Sequence, residues 1–242
     1  MALGASFASG RTSRENMMSW YSNTAILHAA VGTLALTTFW IAGFSKKGSP
    51  IHKGAGKIYL LAMTGILLTA FPLVTSILLN GNPISGGFLL YLLIITTTSV
   101  WNSWRAIRDK RDWKKYTGNI YKILIVLNLL GGLAIAATGI FIAERMQLII
   151  TSFSLIGLIG AYQMYQFQRA APADPRWWMR EHIRAMIGNG VATHIAFMQI
   201  GLPKILPILS GPVLVNLAWL GPLVVAVVAG TYLSRKYLPK RA

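Results

Sequence analysis

The chain has 242 residues, 54% of them hydrophobic and 12% charged, and a formal net charge of +17. A soluble domain has about 25% charged residues, so this chain cannot cover a water-facing surface and is built to face lipid. Cysteine is absent, which excludes disulfides, thiolate metal sites and cysteine-anchored clusters.

So basic a balance in a soluble protein would point to nucleic acid. Here the Lys and Arg fall in short blocks between apolar runs, and no basic, aromatic-interleaved domain is present to hold a strand. Nucleic acid is therefore not an expected partner.

Residues 1–22 form a polar N-terminal tail without the apolar core of a cleavable signal. Seven stretches then reach the ~20 mostly apolar residues of a spanning helix: 24–44, 58–79, 87–104, 123–143, 146–167, 183–202 and 212–233. The first is entered past Trp20 and Tyr21 and carries His28. The second follows "IHKGAGKIY" (51–59), with His52, and contains Pro72, which predicts a kink. "NGNPISGG" (80–87) and "GLPKILPILSGP" (201–212) read as turn-rich connections. The sixth stretch is preceded by Trp177, Trp178 and His182 and contains Gly190 and His194. A basic C-terminal tail, 236–242, closes the chain, leaving 23–235 as a single membrane domain.

Lys and Arg set the direction of threading. The segments 45–57, 104–122, 168–184 and 234–242 carry 4, 7, 4 and 4 of them. The N-terminal tail and the segments near 80–86, 144–146 and 203–211 carry 2, 0, 1 and 1. The two sets alternate without exception. The expectation is an all-α integral membrane protein, a seven-transmembrane-helix bundle with its N-terminus outside and its C-terminus cytoplasmic. The basic cytoplasmic segments would hold anionic lipid of the facing leaflet. Trp104, Trp113, Trp177 and Trp178 then fall at inner membrane edges, as interfacial aromatics prefer.

A short repeat is visible as well: "KGAGKIY" (53–59) and "KYTGNIY" (115–121) share K-x-x-G-x-I-Y at the basic entrances of two helices. It reads either as the trace of a duplicated hairpin or as the common look of any basic-to-apolar boundary.

No Asp, Glu, Lys or Arg lies well inside a span, so the histidines stand out. His28 lies roughly 10 Å below the outer boundary, counting 1.5 Å per residue from Trp20. His194, twelve residues beyond His182, comes out at about the same depth of a ~30 Å core. Gly32 and Gly190 lie one turn from His28 and His194, on the same helix faces, leaving room for a flat ligand or a close helix. His28 and His194 are thus expected to share a pocket as metal or haem ligands. The plainer reading is an imidazole bonded to a helix carbonyl, Thr or Asn that helps the bundle pack.

His52 and His182 form a second pair at the inner boundary, either a second cofactor site or solvated residues touching lipid phosphate. At 100° per residue, His182 and His194 lie about 120° apart around their helix. A dihaem arrangement would need His182 outside the regular helix or a distortion at Gly188–Asn189–Gly190. Gln163, Gln166 and Gln168 either bond a quinone head group or mark the interface.

The motif "IHKGAGKIYLLAM" (51–63) resembles a family of bacterial multi-pass membrane proteins to which no function is assigned. The family carries H-R-x-x-G-R-x-Y-x-x-A-M after a first helix with its own His. His28, His52, Gly56, Tyr59, Ala62 and Met63 match, while Lys53 and Lys57 take the two Arg positions. "WWMREHIRAMIGNGVATHIAF" (177–197) resembles the family's later Trp-Met-basic segment more loosely. The resemblance implies a bacterial inner-membrane protein, gives His52 more weight than a surface residue, and implies no activity.

Paired intramembrane carboxylates, a H-E-x-x-H motif, a phosphate loop and a Ser–His–Asp order are all absent. A three-His zinc site lacks its third imidazole at the depth of His28 and His194. No catalytic residue is assigned, and whether the chain is an enzyme stays open. The leading expectation is a haem b or quinone redox site lined by His28, His194, His52, His182, Gly32 and Gly190, serving electron transfer. The alternatives are a non-catalytic accessory or assembly subunit of a larger membrane complex or homo-oligomer, and a small-solute carrier.

Overall fold

The computed structural model describes residues 2–144, 146–201, 203 and 211–238, and gives no side chains for 2–18, 200–201 and 212–213. Most of the expected connection 201–212, the end of the basic tail at 239–242, Arg145 and Leu202 lie outside the described residues.

The described residues are helical, with no strand among them. They form α1 (Ala2–Phe44), α2 (Pro50–Leu79), α3 (Pro83–Arg108), a short α4 (Trp113–Tyr116), α5 (Asn119–Ala137), α6 (Gln147–Arg169), α7 (Trp177–Ala196) and α8 (Pro212–Tyr237). α5 continues into a π-helical turn at Thr138–Ile142, and α7 into another at Phe197–Gly201. α1 extends back through the polar tail, and α2 runs through Pro72 as one helix.

Local chemistry explains several boundaries. Ser49 accepts a hydrogen bond from the His52 amide at 3.2 Å, and Pro50 follows it at the first helical position. Asp112 caps α4 by accepting from the Lys115 amide at 2.9 Å. Gly81, at φ +81°, turns the chain between α2 and α3 in a conformation that favours glycine.

Among the described residues, six helices are long and apolar enough to cross a membrane: Ser19–Phe44, Pro50–Leu79, Pro83–Arg108, Asn119–Ile142, Gln147–Arg169 and Leu214–Tyr237. Their large apolar side chains are widely exposed, among them Leu68 and Phe71 on α2 and Val224, Val225, Val227 and Val228 on α8. That is the surface of a protein whose solvent is hydrocarbon.

The sixth expected span, 183–202, falls largely on α7 and its π-helical turn, and it is not among the six. The reason is its polar content. α7 packs against α3, α8 and α1, and turns its Asn189 and Thr193 inward, where both are buried. Polar groups that bond to neighbouring helices are tolerated in such a position, at the expense of apparent hydropathy.

The up-and-down order gathers the ends of α1, α3, α6 and α8 and the starts of α2, α5 and α7 at one end, here the basic end. A buried aromatic cluster fills it: Tyr116, Tyr121, Trp177 and Met164, with Trp101, Trp113 and Phe167 against them. Trp177, expected at a membrane edge, is instead packed on Tyr116 at a ring distance of 5.0 Å. Two further clusters lie along the bundle. One is built on Tyr91, Phe88 and Phe153, the other on Tyr59, Met63 and Ala35.

Candidate functional site

His28 Nδ1 lies 2.8 Å from the hydroxyl of Thr69 on α2. That hydroxyl donates its own hydrogen to the Gly65 carbonyl at 2.8 Å, so the imidazole N–H donates to Thr69. Gly32, one turn on, would place a Cβ with no atom within 4 Å.

His194 donates from Nδ1 to the Gly190 carbonyl of its own helix, at 2.7 Å. Its ring stands edge-on to Phe39 and Trp40 of α1, each at 5.3 Å. A Cβ on Gly190 would lie 2.6 Å from Phe39 Cζ. The space beside His194 is therefore taken by an α1 aromatic ring. His194 Nε2 is buried with no hydrogen-bond partner.

His28 and His194 do not share a pocket. His194 is level with Phe39 and Trp40, eleven and twelve residues past His28, which is about 16–18 Å along α1. α2 gives the same answer: Thr193 bonds to Tyr59, and His28 to Thr69, ten residues or about 15 Å further on. The joint metal or haem site expected from these two histidines is corrected accordingly. The depth count set Trp20 and His182 at opposite membrane boundaries. In the fold, three contacts fix the level of α7 instead: Tyr59–Thr193, Ser103–Asn189 and Phe39–Gly190. They hold His194 nearer the basic end. Among the described residues no group of three or more His, Asp or Glu is placed to hold a metal ion.

The other pair lies at the basic end, on two different helices. His52 Nδ1 donates to the Ala42 carbonyl at 2.9 Å, and His182 Nδ1 donates to the Ser103 carbonyl at 3.3 Å. A carbonyl can only accept, so each neutral ring carries its proton on Nδ1 and keeps the Nε2 lone pair free. His52 stands near the start of α2 and His182 near that of α7. Lys47 in turn donates to the same Ala42 carbonyl at 3.0 Å, capping the end of α1. α7 is regular from Trp177 to Ala196, without the distortion at Gly188–Gly190 that a dihaem arrangement requires. His182 accordingly faces α3 while His194 faces α1, as their angular separation implies.

Glu181, beside His182, was not singled out by the sequence, where it reads as one more boundary charge. It is 5% exposed, and its paired cation is Arg184, with Nη1 3.5 Å away. Burial raises its carboxyl above the usual range, partly offset by Arg184 and Arg180. The same burial, reinforced by the negative charge of Glu181, pushes the Tyr116 phenol well up. The Tyr116 hydroxyl is turned to the Glu181 carboxyl and helps to offset its burial, while the Tyr121 hydroxyl, Trp113 Nε1 and Gln168 Oε1 are buried without a hydrogen-bond partner. Gln163 and Gln166 are exposed. The adjacent Trp177 and Trp178, shortly before the acid, were the available signal.

Fold and surface define a multi-pass helical membrane protein with polar chemistry concentrated at its basic end. No family model, no curated protein and no solved structure matches the chain.

Proposed function

We propose that the chain is a redox protein of the bacterial inner membrane that transfers electrons through a b-type haem held by His52 and His182. In this reading the expected stretch 183–202 also spans, making seven, the N-terminus lies outside and the basic end is cytoplasmic. The alternation of Lys and Arg along the chain supports that orientation.

One observation carries the redox reading. Two histidines from different helices lie at the basic end, each with Nδ1–H given to a main-chain carbonyl of a neighbouring helix. Ligating histidines characteristically donate their second nitrogen in this way, which fixes the tautomer and raises the basicity of the ligating one. The donor set fits haem iron, for which two neutral imidazoles suffice. When bound, the haem would supply one-electron transfer. His52 and His182 would supply the axial nitrogens, while Ala42 and Ser103 hold the rings in orientation. His28 and His194 take no part: both belong to helix packing.

An absorption spectrum of purified protein tests this. A Soret band that shifts with dithionite, lost in His52→Ala and His182→Ala but kept in His28→Ala, is the expected result. A colourless, metal-free preparation from haem-replete cells would end the reading. The accessory-subunit reading would then lead, since His28 bonds α1 to α2 and His194 packs α7 on α1, and co-purification in mild detergent would test it.

A further inference from the structure

Polar side chains also lie on a lipid-facing helix, away from the histidines of the basic end. α6 turns Ile149, Phe153, Gly157, Ala161 and Met164 inward. Its opposite face shows Leu148, Leu155, Ile159 and Tyr162, each more than half exposed, and then Gln163 and Gln166, also exposed. We infer that a second copy of the chain docks on this face, α6 against α6.

The level of the glutamines carries the inference. A Cβ on Gly132 of α5 would press on Leu158 of α6, and one on Gly139 would press on Thr151. The two helices are therefore antiparallel, with Gly132 level with Leu158. Gln163, five residues on from Leu158, is level with Leu127, five residues back from Gly132. There α5 exposes Ile123, Val126 and Leu127. Arg169, at the basic end of α6, is six residues or about 9 Å beyond Gln163. Gln163 thus stands among side chains that face hydrocarbon, where an amide finds no solvent to bond and is costly to leave unpaired.

A glutamine amide both donates and accepts, so it satisfies a copy of itself. In a pair related by a two-fold axis along the membrane normal, equal residues meet at equal depth, and Gln163 and Gln166 face their own copies. Hydrogen bonds of this kind hold membrane helices together where apolar contact alone gives no preference over lipid.

The rest of the face fits the same partner. Steps of four, three, four, three and four join Leu148, Ser152, Leu155, Ile159, Tyr162 and Gln166. That spacing keeps one seam of a helix against a parallel neighbour, over about 27 Å of a ~30 Å hydrocarbon core. Ser152 is small, as close helix contacts in membranes prefer. Arg169, the next position of the repeat, leans over the Tyr165 ring at 5.7 Å, beside the seam rather than along it, which spares the pair a like-charge contact.

The chain has no cysteine, so single cysteines report neighbours cleanly. The test places one at Ile159, at Leu130 of α5 or at Val225 of α8, all exposed, in the full chain reconstituted in phospholipid vesicles. Oxidation should crosslink Ile159→Cys severalfold better than Leu130→Cys or Val225→Cys. Adding Gln163→Leu with Gln166→Leu should weaken pairing about tenfold, the loss of two interhelical hydrogen bonds, read as the lipid dilution at which the crosslink halves. Both glutamines are exposed, so the double variant should fold, and unfolding in detergent checks this. Equal crosslinking at the three positions, or a preference for α8, overturns the interface. A crosslink at Ile159 that the double variant leaves undiminished overturns the pairing of the amides. If Ile159→Cys does not crosslink and wild type carries a quinone that the double variant loses, the face is a head-group site and the inference falls. None of these readouts uses haem absorption, so a colourless protein leaves the inference standing.

Discussion

Tyr59 of α2 and Thr193 of α7 are joined by a 3.0 Å hydrogen bond between their hydroxyls. Thr193 donates its own hydrogen to the Asn189 carbonyl at 2.9 Å, so Tyr59 is the donor. The bond sets the level of α7 against the first hairpin, and with it the separation of His194 from His28. Hydrogen bonds between membrane helices couple by about 0.6 kcal/mol on average. A double-mutant cycle of Tyr59→Phe and Thr193→Val, followed by thermal unfolding in detergent, should return a coupling of that order. A coupling indistinguishable from zero would mean that the two hydroxyls do not hold this register.

Gly32 and Gly190 look equivalent in the sequence, each one turn from a histidine, but the fold separates them. A Cβ at Gly190 would press on the Phe39 ring, while one at Gly32 meets nothing. Overpacking costs typically 1–3 kcal/mol, whereas Gly→Ala at an open helix position gains about 0.5–1 kcal/mol. Gly190→Ala should therefore lower the unfolding temperature and Gly32→Ala should hold or raise it. Phe39→Leu should restore part of the Gly190→Ala loss. Equal behaviour of the two alanine variants would contradict the contact.

These cases show what the sequence made legible. Alternating charge blocks identified the basic end because Lys and Arg are costly in hydrocarbon wherever they lie. The angle between His182 and His194 followed from helix geometry alone, and they do face different neighbours, α3 and α1. Depth did not follow. Counting from Trp20 and His182 presumes that helix ends mark membrane boundaries, but α7 is positioned by tertiary bonds at Asn189 and Thr193. The K-x-x-G-x-I-Y repeat shows the same limit. Tyr59 and Tyr121 both end up buried, yet Gly56 lies within α2 while Gly118 is the N-cap of α5. Shared letters here do not give shared backbone. Glu181 escaped notice because burial depends on which neighbours fold over a residue.

Tyr91 ties α3 to α6 by donating to the Phe153 carbonyl and accepting from the Gly157 amide, both at 2.9 Å. Gly157 is where the phenol passes closest to the α6 backbone, and a Cβ there would collide with Tyr91 Oη. Tyr91→Phe loses the bonds but keeps the ring, at a cost of about 1 kcal/mol. Gly157→Ala displaces the whole side chain and should cost more, on the order of 1–3 kcal/mol. Unfolding in detergent should rank them in that order, and in the background of Tyr91→Ala the Gly157→Ala penalty should fall to what the Asn128 carbonyl, 3.1 Å from the added Cβ, still imposes.

Glu181 makes stability depend on pH in a direction that can be worked out. Burial comes first among the causes that raise its carboxyl above the ordinary value of 4.5, with Arg184 and Arg180 partly opposing. A carboxyl whose folded-state affinity for protons is raised contributes stability fully below its unfolded value. That contribution is lost as pH rises through the folded value, because the proton must leave a site where the charge is poorly solvated. Glu181→Gln stays neutral at every pH. Removing the charge removes a penalty of about 1.4 kcal/mol per pH unit between the unfolded and folded values, and each kcal/mol is about 2–4 °C in a chain of this size. The variant should therefore unfold at a higher temperature than wild type at pH 8 and at nearly the same temperature at pH 4. If instead it is less stable at pH 8, the pairing with Arg184 outweighs the desolvation of the acid, and Glu181 is held ionised in the fold.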